Sequence, residues 1–120
     1  MPMIAMAVPI RPEKYEKWRE GVSSFAGARR ADFDASRRRM GAVRERIWVQ
    51  QTPQGPIELL FIEAEDLARF FEQVATSEEP FDVEFRAWVL DVYGLDLTQP
   101  PPPLPEQVLD WSATPTTAPA

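Results

Sequence analysis

Hydrophobic and polar positions follow two different periods along this chain, and the switches between them mark its elements. Residues 3–8 are apolar throughout: Met3, Ala5 and Ala7 line one face of an extended segment, and Ile4, Met6 and Val8 line the other. A strand apolar on both faces is one covered on both faces. Pro12 then opens a helix, with Glu13 and Glu16 suited to its positive end. Tyr15, Trp18, Val22, Phe25 and Ala26 recur at helical spacing as one apolar stripe. If the helix runs on to Gly41, Phe33 and Met40 extend that stripe. Gly21 and Gly27 weaken its middle, and a break near Gly27 is the alternative.

Residues 43–52 return to a period of two. Val43, Glu45, Ile47, Val49 and Gln51 share one face, and Arg44, Arg46, Trp48, Gln50 and Thr52 the other, as in a half-exposed strand. Pro53–Pro56 is a turn. Residues 57–64 form a partner strand, again apolar on both faces, with Ile57, Leu59 and Phe61 opposite Leu60, Ile62 and Ala64. Asp66 caps a short helix carrying Leu67, Phe70, Phe71 and Val74. Ser77 caps another, with Phe81, Phe85, Trp88, Val89 and Val92 as its apolar side and Gly94 as its stop. The run Pro100–Pro103 is extended, polyproline-like chain. Residues 104–111 read as a short edge strand.

The order strand, helix, strand, strand, helices, strand predicts an α+β domain of the ferredoxin-like βαββαβ type, with an antiparallel four-stranded sheet. In that topology the first and third strands are central. These are the two strands apolar on both faces, so pattern and topology agree. Helices cover only one face of such a sheet. The other would still show apolar side chains, and a second copy of the same sheet is its simplest cover. The expected organisation is one domain over residues 1–111, including a proline-rich arm over 97–111, and a disordered tail over 112–120. The arm would carry Val108, Leu109 and Trp111 to a docking site.

Composition narrows the chemistry. The chain has 120 residues, no cysteine and no histidine. Thiol chemistry, imidazole ligation and histidine-dependent triads are excluded. The formal net charge is −6, which disfavours nucleic acid as a partner. No apolar run reaches the ~20 residues of a membrane span, and the N-terminus lacks the pattern of a signal peptide. A cytoplasmic protein without a cofactor is expected.

Two groups of residues are candidates for ligand binding. In an unbroken first helix, Arg29 and Ser36 fall within the apolar stripe with Asp32 at its margin, and the three would form the polar wall of a pocket between helix and sheet. If Gly27 breaks the helix, Arg29 points to solvent instead. The second group is the strand face Arg44, Arg46, Trp48 and Gln50, an aromatic flanked by cations and an amide that suits an anionic or aromatic small molecule. The plainer reading of that face is an edge strand whose long side chains cover a dimer seam. Glu45 and Glu63 are carboxylates on strands, best explained as partners of nearby arginines.

This layout, together with the segment Arg44–Gly55 (RERIWVQQTPQG), resembles the dimeric α+β barrel superfamily, and is similar in particular to small bacterial proteins of that type. The likeness spans about residues 2–111 and brings no functional motif. It implies a homodimer. The superfamily includes cofactor-independent monooxygenases, haem-degrading enzymes and ligand-binding regulators, and members that rely on histidine are not models for this chain. Three functions follow as expectations: a small-molecule-binding or accessory protein; a cofactor-independent monooxygenase or cyclase acting on an aromatic or polyketide-like substrate; or a structural or protein-interaction dimer.

Overall fold

A computed structural model describes residues 2–114. The chain is an α+β fold with an antiparallel sheet. Its elements are β1 (Met3–Pro9), a 3-10 turn (Pro12–Lys14), α1 (Tyr15–Ala26), α2 (Arg30–Arg39), β2 (Ala42–Thr52), β3 (Gly55–Ala64), α3 (Leu67–Thr76) and α4 (Pro80–Tyr93). The sheet has three strands in the order β1-β3-β2, with β3 central and antiparallel to both neighbours. This is the order of the first three strands of a ferredoxin-like sheet.

The first helical region is two helices. The Gly27 amide bonds to the Ser24 carbonyl, the Arg29 amide also turns back to Ser24, and the α-helical ladder resumes only at Arg30. Glycine has the lowest helix propensity after proline, and at Gly27 it lets the chain leave the helical region. The turn between β2 and β3 is tight, and Gly55 enters β3 with a positive φ of 116°, a conformation natural to glycine. Asp66 caps α3, its side chain accepting from the Arg69 amide at 3.1 Å. Gly94 ends α4 in the left-handed conformation. The helix expected from Ser77 begins later, at Pro80. Ser77 is engaged instead by Asp82, to which its hydroxyl donates at 2.6 Å.

Alternate residues of every strand face the helices. On that side Ile62 and Ala64 of β3 pack with Met40 and with Phe70 and Val74 of α3, and Ile4, Met6 and Leu60 close around them. A second cluster joins Ile10, Trp18 of α1 and Val92 of α4, flanked by Ile47 and Val49 of β2. Phe25 ties the helices together. Its ring lies 5.4 Å from Phe33, 5.7 Å from both Phe81 and Phe85, and 5.2 Å from Trp88.

The opposite face of the sheet is bare in the single chain. Register places Ala5, Phe61 and Arg46 side by side across the three strands, and Ala7, Leu59 and Trp48 in the next row. Met3, Ala5 and Ala7 are exposed, and Trp48 is 53% exposed.

The fourth strand expected over 104–111 does not form. Residues 104–112 belong to no regular element, and Leu104, Val108, Leu109 and Trp111 are all exposed. Five prolines between 100 and 105 remove the amide donors that a ladder needs. Of the tail expected to be disordered over 112–120, residues 115–120 lie outside the described residues.

Candidate functional site

The chemistry-bearing groups gather between the helical layer and the sheet, behind the edge strand β2. A groove of about 500 Å³ runs between α2 and β2. Its floor is Val22, Phe25, Phe33 and Ile47, and its rim is Arg30, Arg37, Arg38 and Arg44 with Asp34 and Glu45. Beside it, under the helices, lies a cavity of about 140 Å³ with an almost wholly apolar wall that includes Leu60, Phe85, Trp88 and Val89. Phe25, Phe33, Arg37, Glu45 and Ile47 border both spaces.

Arg37 and Glu45 stand at the boundary. Arg37 Nε donates to Glu45 Oε1 at 2.9 Å, and the two side chains are only 10% and 11% exposed. The guanidinium carbon lies 4.4 Å from the Phe33 ring centre and 4.5 Å from that of Phe85. A desolvated cation is costly unless paired, and here a carboxylate and two ring faces compensate it. Glu45 thus has the role of arginine partner that its position on the strand suggests.

Glu58 lies deeper on the cavity wall and is 3% exposed. It comes from the helix-facing side of β3, two residues before Leu60. Trp18 Nε1 donates to Glu58 Oε1 at 3.0 Å and to the Tyr93 hydroxyl at 2.9 Å. The Tyr93 hydroxyl donates in turn to Glu58 Oε1. Burial pushes the Glu58 carboxyl above its ordinary range, against the lowering effect of the bonds from Tyr93 and Trp18, and the Glu45 charge adds to the rise. Burial and the neighbouring Glu58 charge also raise the Tyr93 phenol.

No protein-family model, curated protein or solved structure matches this chain. The site therefore has to be read from its own geometry.

The structure separates the residues singled out from the sequence. Arg29 is on the surface at the start of α2, bonded to Asp32 at 3.1 Å and to Glu84 at 2.7 Å, with its guanidinium over the Phe81 ring. These contacts raise its already high pKa, the bond to Glu84 most. Ser36 is fully buried, accepting from Arg37 Nη1 at 3.2 Å and donating to Asp82 Oδ1 at 2.5 Å, so it links the boundary arginine to a second polar cluster. Asp82 also accepts from Ser77 and, at 3.0 Å, from Arg39. Burial acts to raise the Asp82 carboxyl, but these donors and the Arg39 charge outweigh it and hold the group below its ordinary range. This cluster joins α2 to α4. Arg46, Trp48 and Gln50 project from the bare face of the sheet. Arg44 shares that face and also borders the groove.

Glu58, Tyr93 and Arg37 were not among the sequence candidates. Glu58 had a signal, since it is the one charged position on the face of β3 that also carries Leu60, Ile62 and Ala64. Among the described residues no group of acidic side chains is gathered as a metal site needs, and no helix is long and apolar enough to cross a membrane.

Proposed function

We propose that this protein binds a small amphipathic anion, an aromatic or comparably compact apolar body carrying a carboxylate or similar acid. The observation that carries the reading is the shared wall between a basic groove and an apolar cavity. An apolar cavity of ~150 Å³ is about the size that takes up benzene, so the inner space suits one ring. Arg38 and Arg44 at the rim have no ion-pair partner among the described residues, and guanidinium groups suit a planar acid. Strand order and helix placement support membership of the dimeric α+β barrel superfamily, which would add a homodimeric partner. A cytoplasmic location belongs to the same reading and rests on the absence of cysteine.

The test is titration calorimetry with 3-phenylpropanoate, which joins one ring to a carboxylate through a short spacer. Binding that weakens at least tenfold in the double variant Arg38→Ala, Arg44→Ala is expected. No heat at ~10 mM ligand, where even a weak site of ~4 kcal/mol (Kd of ~1 mM) would be about nine-tenths filled, would remove the proposal.

Glu58 favours a second reading, a cofactor-independent monooxygenase or cyclase. A carboxyl with a raised pKa on the wall of an apolar cavity, bonded to a phenol, is placed to exchange a proton with a bound ring. In that case Glu58→Gln should abolish turnover while leaving ligand affinity nearly unchanged.

A further inference from the structure

The inner end of the cavity carries a hydrogen-bonding group that the protein itself leaves unanswered. Trp18 Nε1 and the Tyr93 hydroxyl both donate to the same oxygen of Glu58, Oε1. The other oxygen, Oε2, has no partner among the described residues, yet it is not sealed in protein as Trp88 Nε1 is. Glu58 as a whole is 3% exposed and borders the cavity, so the open side of Oε2 is the cavity. Away from Arg37 and Glu45 at the boundary, no other described residue of that wall is charged. The position of the acid proton follows from the same bonds. Oε1 has two lone pairs, and two donors take them. Burial raises the Glu58 pKa, and burial with the Glu58 charge keeps the Tyr93 phenol in its neutral, donating form. In the neutral acid the proton therefore sits on Oε2 and faces the cavity.

We propose that Glu58 reads a hydroxyl on the ring of the ligand, so that the ligand is a hydroxyaryl acid with its hydroxyl opposite the acid-bearing chain. This rests on the reading of groove and cavity as one ligand site and names the class of molecule that fills it. A hydroxyl suits Oε2 in either protonation state, because its oxygen accepts from the neutral carboxyl and its hydrogen donates to the carboxylate. Spacing sets where on the ring the hydroxyl lies. Glu58 opposes Val49, four residues along β2 from Glu45 at the boundary, which is ~13 Å of extended chain. The acid is held beyond that boundary, by Arg38 and Arg44 on the groove rim. With guanidinium and carboxyl reaching inward from the two ends, one ring on a short chain spans the gap and puts its far carbon against Glu58. The energetics point the same way. A carboxyl on an apolar wall is costly while it lacks a partner. A ligand hydroxyl removes that cost, whereas a methyl in the same place leaves the oxygen desolvated and unpaired. The cavity, apolar as it is, thus discriminates against a wholly apolar ring.

Three acids of one skeleton are compared by titration calorimetry: 3-phenylpropanoate, its 4-hydroxy derivative, and its 4-methyl derivative, whose methyl matches the hydroxyl in size. The wild-type chain is expected to bind the hydroxy acid at least about tenfold more tightly than the methyl acid. Glu58→Met, similar in length and without a polar oxygen, should erase or reverse that preference. Glu58→Gln, whose amide both donates and accepts, should keep most of it. The wild-type comparison needs no variant and decides by itself should Glu58→Met fail to fold. A methyl acid bound by the wild type as tightly as the hydroxy acid, or a hydroxyl preference unchanged in folded Glu58→Met, would overturn the proposal. The two levels of the reading fail differently. Binding of 3-phenylpropanoate with no preference for the hydroxyl removes the role of Glu58 and leaves the ligand site standing. No heat from any of the three acids at ~10 mM removes the site itself, and this inference with it.

Discussion

Arg37 donates to Glu45 across the gap between α2 and β2 at 2.9 Å, with both side chains withdrawn from water. The pair fastens an edge strand to the helical layer at the boundary of groove and cavity. Removing one member leaves the other charge buried and unpaired. Glu45→Ala should therefore cost about 3 kcal/mol in urea denaturation, whereas the double variant Arg37→Leu, Glu45→Leu should recover most of that loss. Equal destabilisation by the single and double variants would mean that packing, and not charge, is what the pair contributes.

Glu58 makes stability depend on pH in the direction opposite to most carboxylates. Its folded pKa is raised above the ordinary value of 4.5, so the folded state holds its proton more tightly than the unfolded chain. Stability from this group is complete below pH 4.5 and falls as pH rises through the folded value. Glu58→Gln, which still offers an oxygen to Trp18 and Tyr93, should raise the Tm at pH 7 and lose its advantage below pH 4. A Tm gain that persists unchanged to pH 4 would contradict the raised pKa.

Asp82 acts in the usual sense. Its folded pKa is lowered by Ser36, Ser77 and Arg39 despite burial, so its contribution is present above the ordinary value of 3.8 and lost as pH falls through the folded value. Asp82→Ala, which strips the partner from buried Ser36, should cost about 2 kcal/mol at pH 7. The gap between wild type and variant should narrow on acidification, as followed by thermal melts at pH 7, 4 and 3.

Gly21 lies inside α1, where alanine is intrinsically better by ~1 kcal/mol. The structure predicts the reverse outcome. A Cβ at Gly21 would sit 2.4 Å from Trp88 Nε1 and 2.5 Å from Cε2, and the indole is a rigid ring with no flexible end to yield. Gly21→Ala should lower stability by about 1–2 kcal/mol through overpacking, with a change in tryptophan fluorescence as the ring shifts.

Much of the architecture is legible in the chain because strand and helix periods are local signals. The double-faced pattern of β1 and β3 marks them as neighbours in mid-sheet, and Asp66, Gly41 and Gly94 mark element ends by backbone chemistry alone. Position 27 shows where local reading stops. An apolar stripe continuing through Phe33 argues for one helix and Gly27 argues for two, and only the tertiary contacts of Phe25 with Phe33 and Phe81 decide. Residues 104–111 have strand-like apolar content and β1 offers a free edge, but the prolines at 100–103 and 105 interrupt the approach to it, and no ladder forms. The site was least legible because its parts are far apart in sequence. Trp18, Glu58 and Tyr93 are separated by 40 and 35 residues, and nothing in their local patterns signals that they converge.

The strand order has a kinetic side. β3 joins β2 through a two-residue turn, but its ladder with β1 begins at Met3↔Glu63 and closes across the whole of α1 and α2. The hairpin can zip as soon as both its strands exist, on the microsecond scale. β1, made before the other two strands, has to wait for β3, and its apolar side chains stay unpaired in the interval. Closure entropy grows only slowly with loop length, so the helices between do not forbid the step, but non-local pairing of this kind slows folding. β1, the earliest made of the three strands, is then the last to be secured in the sheet, and hydrogen exchange pulsed during refolding would find the amides of β2 and β3 protected before those of β1.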